Sequence, residues 1–358
     1  SENVAIGYST MQSSPGVTGS SNIAIGKNAL DDVTTGSNNV ALGQLVGSNL
    51  TTGSSNVAVG RSAMSVGILT GNSNIALGAD ALDDITSGSN NIAIGGGVAS
   101  NLTTGSNNVA VGRSAMSVGI VTGNSNIAVG SDVLDDVTTG SNNVALGTAV
   151  AANLTTGNNN VAVGRSVMSL GVVTGSNNVA LGTDALDNVT TGGDNVAIGR
   201  AALSNSTTSS GNVAIGAFSM DGANVVGTHN VGLGKNTLNV LATGSENVAV
   251  GYKAFSALTT GSDNVGIGKW AAGNITSGSR NIAIGSSVLS GPGTDVNDNV
   301  AIGKDALNAV TTADNNIAIG KNAAQYLTSG SNNVAIGTSV LGGPVTGSDN
   351  VAVGRNAL

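Results

Sequence analysis

Five positions repeat along the chain in a fixed order: Asn, then Val or Ile, then Ala or Gly, then Val, Ile or Leu, then Gly. The pattern occurs 21 times, from Asn3, Asn22, Asn39 and Asn56 through to Asn333 and Asn350. Successive copies lie 17 or 18 residues apart, and 19 for the first pair. Inside the pattern, large apolar residues alternate with small ones, as Val40, Ala41 and Leu42 do, which is the period of a strand. An apolar pair follows, such as Ala29-Leu30, Ala63-Met64 or Val133-Leu134. A lone Val, Ile or Leu comes next, and then Thr-Thr-Gly or Thr-Ser-Gly. No helical period is present, and the unit is too short for a helix-turn-helix repeat. Each unit therefore reads as one coil of two or three short strands and their corners. The chain is expected to be all-β, a parallel β-solenoid of about 21 coils in a single array over residues 1–358 with no second domain. A lone coil cannot bury its own apolar residues. Stacking at strand spacing buries them in a continuous column about 100 Å long.

A longer period lies over the short one. The 18-residue intervals begin at Asn56, Asn108, Asn160 and Asn212, each 52 residues after the last. Residues 56–107 and 108–159 match at 40 of 52 positions, and most core differences are Val, Ile and Leu exchanges. Duplication of three-coil blocks accounts for this. After Asn212 the long rhythm breaks, and the next long interval begins at Asn281.

The motif Asn is present in every copy. Asn is poor in strands and good at turns, so the expectation is a ladder of stacked side chains bonded from coil to coil. The motif Gly implies a positive φ or a close backbone approach. The middle position is Ala in all copies but two, Gly232 and Gly266. With the flanking Val, Ile and Leu taken as interior, this small residue faces outward and something packs closely on it. That makes Ala41, Ala58, Ala76, Ala93 and Ala110 candidates for a subunit interface, with another copy of the chain as the simplest partner.

Composition then excludes several classes. There is no Cys and a single His, so neither a zinc site nor a Cys/His nucleophile pair can be built. Twelve basic residues against twenty acidic ones give a net charge of −8, which argues against nucleic acid as a partner. No apolar run is long enough for a membrane-spanning helix. Absence of Cys suits an extracellular protein that does without disulfides. The first residue is Ser rather than Met, which suggests a processed product or a fragment.

Ten of the twelve basic residues directly follow a motif Gly, among them Lys27, Arg61, Arg113, Lys235 and Lys269. Asp80, Asp132 and Asp184 sit one residue further on in the coil after Arg61, Arg113 and Arg165, so pairing across coils is expected. Asp31-Asp32, Asp83-Asp84 and Asp135-Asp136 recur every 52 residues, too far apart along the stack to share one ion. No metal, cofactor or catalytic residue is expected. Phe218, Tyr252 and Trp270 are the candidate ligand contacts, because exposed rings stack on sugars or pack on a partner. Phe218 and Trp270 occupy the same coil position, 52 residues apart. His229 reads as a turn residue. The Asn-x-Thr sites at Asn49, Asn101, Asn153, Asn205 and Asn274 read as by-products of the repeat.

Units such as Asn-Val-Ala-Ile-Gly-Lys-Asp-Ala-Leu (299–307) and Asn-Ile-Ala-Ile-Gly-Lys-Asn-Ala (316–323) resemble the head repeats of trimeric autotransporter adhesins, the YadA-like head. The Thr-Thr-Gly linkers resemble repeat arrays of bacteriophage tail-fibre proteins. The resemblance covers essentially the whole chain. It implies a left-handed parallel β-roll, three chains around an axis and a role in adhesion. The coils are longer than the adhesin head repeat, and the pattern of these residues includes neither a heptad stalk nor a membrane-anchor segment. The expected function is therefore non-enzymatic: a shaft or head of an extracellular homotrimeric fibre, on a phage particle or a bacterial surface, contacting a host-surface glycan or protein receptor. Two alternatives remain open at this level. One is a filament subunit stacking end to end through uncapped coils. The other is an ice-binding solenoid using Thr rows such as Thr35, Thr52 and Thr104.

Overall fold

The computed structural model describes residues 2–13, 16–222, 224–292, 295–344 and 346–357. It is a parallel β-solenoid, and no residue described is helical. Among the described residues no helix is long and apolar enough to cross a membrane. The chain falls into two compact units, Ser1–Asn177 and Asn178–Leu358. Both are runs of the same coil. The first holds ten strands, from Val4–Ile6 to Val161–Arg165, and the second eleven, from Val179–Leu181 to Val351–Val353. Strands pair in parallel and in register with the next copy of the motif. Val40 lies beside Val57, Ala41 beside Ala58 and Leu42 beside Val59. In the second unit Val196, Ala197 and Ile198 lie beside Val213, Ala214 and Ile215.

Each coil carries one strand rather than the two or three expected. Among the described residues four isolated bridges between neighbouring coils are added, as at Leu50–Leu69 and Leu102–Val121. The reason is backbone sign. Asn28 has φ 55°, Leu30 φ 48° and Asn38 φ 60°, and the equivalent positions of other coils repeat this. Left-handed residues interrupt a strand, yet they leave N–H and C=O groups pointing along the stack. Asn28 N–H donates to Tyr8 O, and Leu30 N–H to Val46 O. The corners thus hydrogen-bond coil to coil as the strands do. The Leu30 position is filled by Leu, Met, Ala or Phe in copies such as Met64, Ala99 and Phe255, and by no β-branched residue among the positive-φ residues of that column. That exclusion is expected where φ is positive.

The expected Asn ladder is present. Asn143 donates from N and Nδ2 to Asn126 Oδ1 at 3.0 and 3.1 Å, and from Nδ2 to Gly157 O at 2.9 Å. Its own Oδ1 accepts from Asn160 N and Nδ2 at 2.9 and 3.1 Å. Every donor and acceptor of the buried Asn143 amide is satisfied, which is the condition for burying it at all. The motif Gly fits the other expectation. Gly147 has φ 136°, and a Cβ there would stand 1.8 Å from Gly164 O.

The orientation of the strand reverses the expectation. Ala41, Ala58, Ala76, Ala93 and Ala110 are 0–2% exposed inside a single chain, so they line the interior rather than an outer interface. The flanking Val, Ile and Leu point outward. Asn39 and Ala41 share the inner side of the strand, and Val46 and Leu50 of the same coil are buried as well. The Ala column is small because this wall of a narrow coil meets large side chains from the opposite corner. The two exceptions make the point. A Cβ on Gly266 would stand 2.5 Å from Phe255 Cε2, and one on Gly232 would stand 2.6 Å from Ser219 Oγ.

Two outcomes follow from this packing. Asn143→Asp removes two donors and buries a carboxyl, and the loss should be about 1–3 kcal/mol or more. Burial raises the folded-state pKa of that carboxyl, so stability is highest below the unfolded value and is lost as pH rises through the folded one. Thermal melts at low and neutral pH will show a deficit that grows with pH. Gly266→Ala should cost about 1–3 kcal/mol through overpacking. Phe255→Leu in the same chain should recover most of it in a denaturation double-mutant cycle.

Candidate interaction surfaces

Reversal of the strand puts the large apolar residues outside. In each unit they form two columns along the sheet. Ile23 and Ile25 are 39% and 37% exposed, and Ile317 and Ile319 are 38% and 37%. Monomeric proteins rarely leave so continuous an apolar surface uncovered.

A second exposed apolar feature was not anticipated. The 18-residue coils of the first unit place Val66 and Ile68, Val118 and Ile120, and Leu170 and Val172 at 57–68% exposure. These coils are longer than their neighbours, and the exposed pair Val66 and Ile68 sits at the corner between the buried Met64 and Leu69. The 52-residue period was the signal in the sequence, and it places these knobs about 14 Å apart.

Beyond the apolar columns lies the charged edge that follows each motif Gly. In the first unit two of its three arginines are neutralised from the next coil, as expected. Arg61 pairs with Asp80 at 3.2 Å and Arg113 with Asp132 at 3.4 Å. All four side chains are largely exposed, so these pairs add little stability. In the second unit aromatic rings take the place of these acids. Arg200 lies 4.5 Å from the centre of the Phe218 ring. Lys253 lies 5.6 Å from the Tyr252 ring and 4.5 Å from the Trp270 ring. Tyr252 and Trp270 meet edge to face at 6.4 Å. The structure thus gathers Tyr252 and Trp270 into one cluster and leaves Phe218 apart with Arg200.

Other candidates are absorbed by the coil. Thr34 and Thr86 are half-buried and donate their hydroxyls to Thr51 O and Thr103 O, leaving the outer row at Thr35, Thr52 and Thr104 exposed. The amides of Asn49 and Asn101 donate to carbonyls of the next coil, Val66 O and Val118 O. His229 has φ 58°, a turn conformation as expected. No group of three or more potential metal ligands is found among the described residues.

The Asp pairs divide their roles. Asp83 accepts from Ser65 Oγ at 2.6 Å, and Asp135 from Ser117 Oγ at 2.6 Å. Burial and then the neighbouring carboxylate hold Asp84 and Asp136 above the usual aspartate range. Neither family models nor curated proteins show a match to this chain. Fold and surface together define a parallel β-solenoid repeat protein with one apolar face per unit and a charged edge.

A group with a raised folded-state pKa favours folding below its unfolded pKa, and that contribution is lost as pH rises through the folded value. At neutral pH Asp84 and Asp136 therefore oppose folding. Asp84→Asn together with Asp136→Asn should raise the melting temperature at pH 7. The gain should vanish as the pH falls below about 3.9, the ordinary aspartate value.

Proposed function

We propose that the chain is a non-enzymatic structural and adhesive subunit of an extracellular fibre, wound left-handed and associated as a homotrimer along its apolar face. The observation that carries this reading is the double column of outward Val, Ile and Leu. A column of β-branched residues running the length of each unit is stable in water only when covered. A second copy offers a surface of the same length and the same coil spacing. The resemblance to adhesin heads and tail-fibre repeats points to the same arrangement. Covering the face three ways leaves the charged edges and corners outside, where each weak contact is presented three times. On this reading the fibre belongs to a phage particle or a bacterial surface. Its partners are copies of itself and a host-surface glycan or protein.

Light scattering of the full chain should give three times the chain mass of 34.3 kDa. Val144→Lys combined with Leu146→Lys puts charge on half-exposed positions of the face and should bring the mass down toward one chain, with the β circular-dichroism signal retained. A wild-type mass equal to one chain contradicts the proposal.

A further inference from the structure

The charged edge of the second unit differs from the Arg61–Asp132 stretch of the first in one respect that packing does not require. From Arg200 onward the two columns after the motif Gly hold Arg200, Lys235, Lys253, Lys269, Lys304 and Lys321. The single acid in those columns is Asp305, which lies 3.6 Å from Lys304. Arg200, Lys235, Lys253, Lys269 and Lys321 have no ion pair among the described residues. Where the first unit has Asp80 and Asp132 against its arginines, this unit has Phe218 and Trp270. The counter-ion has been replaced by a ring, and the cation is held over it. Arg200 and Lys253 are positioned by Phe218 and Trp270 while their charge stays uncompensated.

Spacing adds a second constraint. Arg200, Lys235, Lys269 and Lys304 occupy every second coil, so they stand about 10 Å apart at strand spacing. That is close to the length of an extended disaccharide. All four are exposed, and so is Tyr252 between them. A row of cations at this interval, with aromatic rings beside it, suits a linear polymer with an anion on every sugar or every second sugar, so that at least one anion per disaccharide meets each cation. Charge then binds the carboxylate or sulfate, and ring surface packs on pyranose C–H groups. A protein of net charge −8 with a single file of cations does not suit nucleic acid, which needs a broad basic surface.

We infer that the edge of the second unit from Arg200 to Lys321 is a binding stripe for an acidic linear polysaccharide. The inference deepens the adhesive reading and rests on it. The stripe starts two residues past the apolar columns, outside the band that association of copies covers.

Trp270 is the one tryptophan of the chain and sits in the stripe, so its fluorescence reports directly. The full chain is titrated at low salt with polygalacturonate, dextran sulfate, neutral dextran and single-stranded DNA. Saturable change with polygalacturonate or dextran sulfate, whichever binds, and none with dextran is expected. Binding should weaken as salt screens the charges. Lys235→Gln, Lys269→Gln and Lys321→Gln together should weaken binding at least tenfold. Arg61→Gln with Arg113→Gln, on the neutralised edge, should leave it unchanged. Absence of binding to both acidic glycans overturns the inference. So does DNA binding of equal strength, or an equal loss in the first-unit variant. All variants change exposed side chains, and circular dichroism verifies their fold. A chain of single mass that still binds through these lysines removes the trimer and keeps the stripe. A trimer that binds neither glycan does the reverse.

Discussion

Coil-to-coil contact through the buried Asn column is the interaction on which the rest depends. The Asn143 amide accepts twice from Asn160 on one side and donates both to Asn126 on the other and to Gly157 O beside Asn160. A ladder of this kind has no slack along the stack, so the motif must return at the same point of every coil. The motif Gly imposes the same condition on the backbone, because successive glycines approach too closely for a Cβ. With two columns pinned, length changes are tolerated only at a corner remote from them. That is where the 18-residue coils expose Val66 and Ile68.

The narrow coil also decides which side chains are small. Asn and Ala line one wall, and Leu, Met, Val or Phe fill the space from the opposite corner. Volume is conserved locally: Phe255 meets Gly266, and the residues at the same two positions elsewhere include Leu30 and Ala41. Close packing of this sort fixes the interior residue by residue. It leaves Val, Ile and Leu of the same strand on the outside, and the proposed association of copies rests on that face.

Much of the fold was legible in the sequence. The motif spacing showed the coil, the recurrence of Asn39, Asn56 and Asn74 showed the ladder, and the invariant Gly showed the close approach. Strand alternation says which residues share a side, but not which side is inside. Parity held that information: Asn39 and Ala41 are two residues apart, so an interior ladder puts the Ala column inside with it. Reading the larger residue as the buried one fails here because the coil is too narrow. The positive φ at Leu30 and its equivalents was not legible, since Leu has no local preference for that conformation. It follows from hydrogen bonds that exist only once coils are stacked. Of the candidate ligand contacts, Tyr252 and Trp270 are neighbours because the coil brings them together. The cations beside the rings could be located in sequence only by counting coils.

The absence of native Cys allows the central claim, an inward Ala column and a covered outer face, to be tested by thiol labelling. Val144→Cys, Ala145→Cys and Leu146→Cys are made singly and exposed to a small thiol reagent, native and in denaturant. The account predicts that Cys at 145 reacts only on unfolding. Cys at 144 and 146 should be protected in the native assembly and become reactive on dilution to single chains that remain folded. Rapid native labelling at 145, with 144 and 146 protected at every dilution, would contradict it.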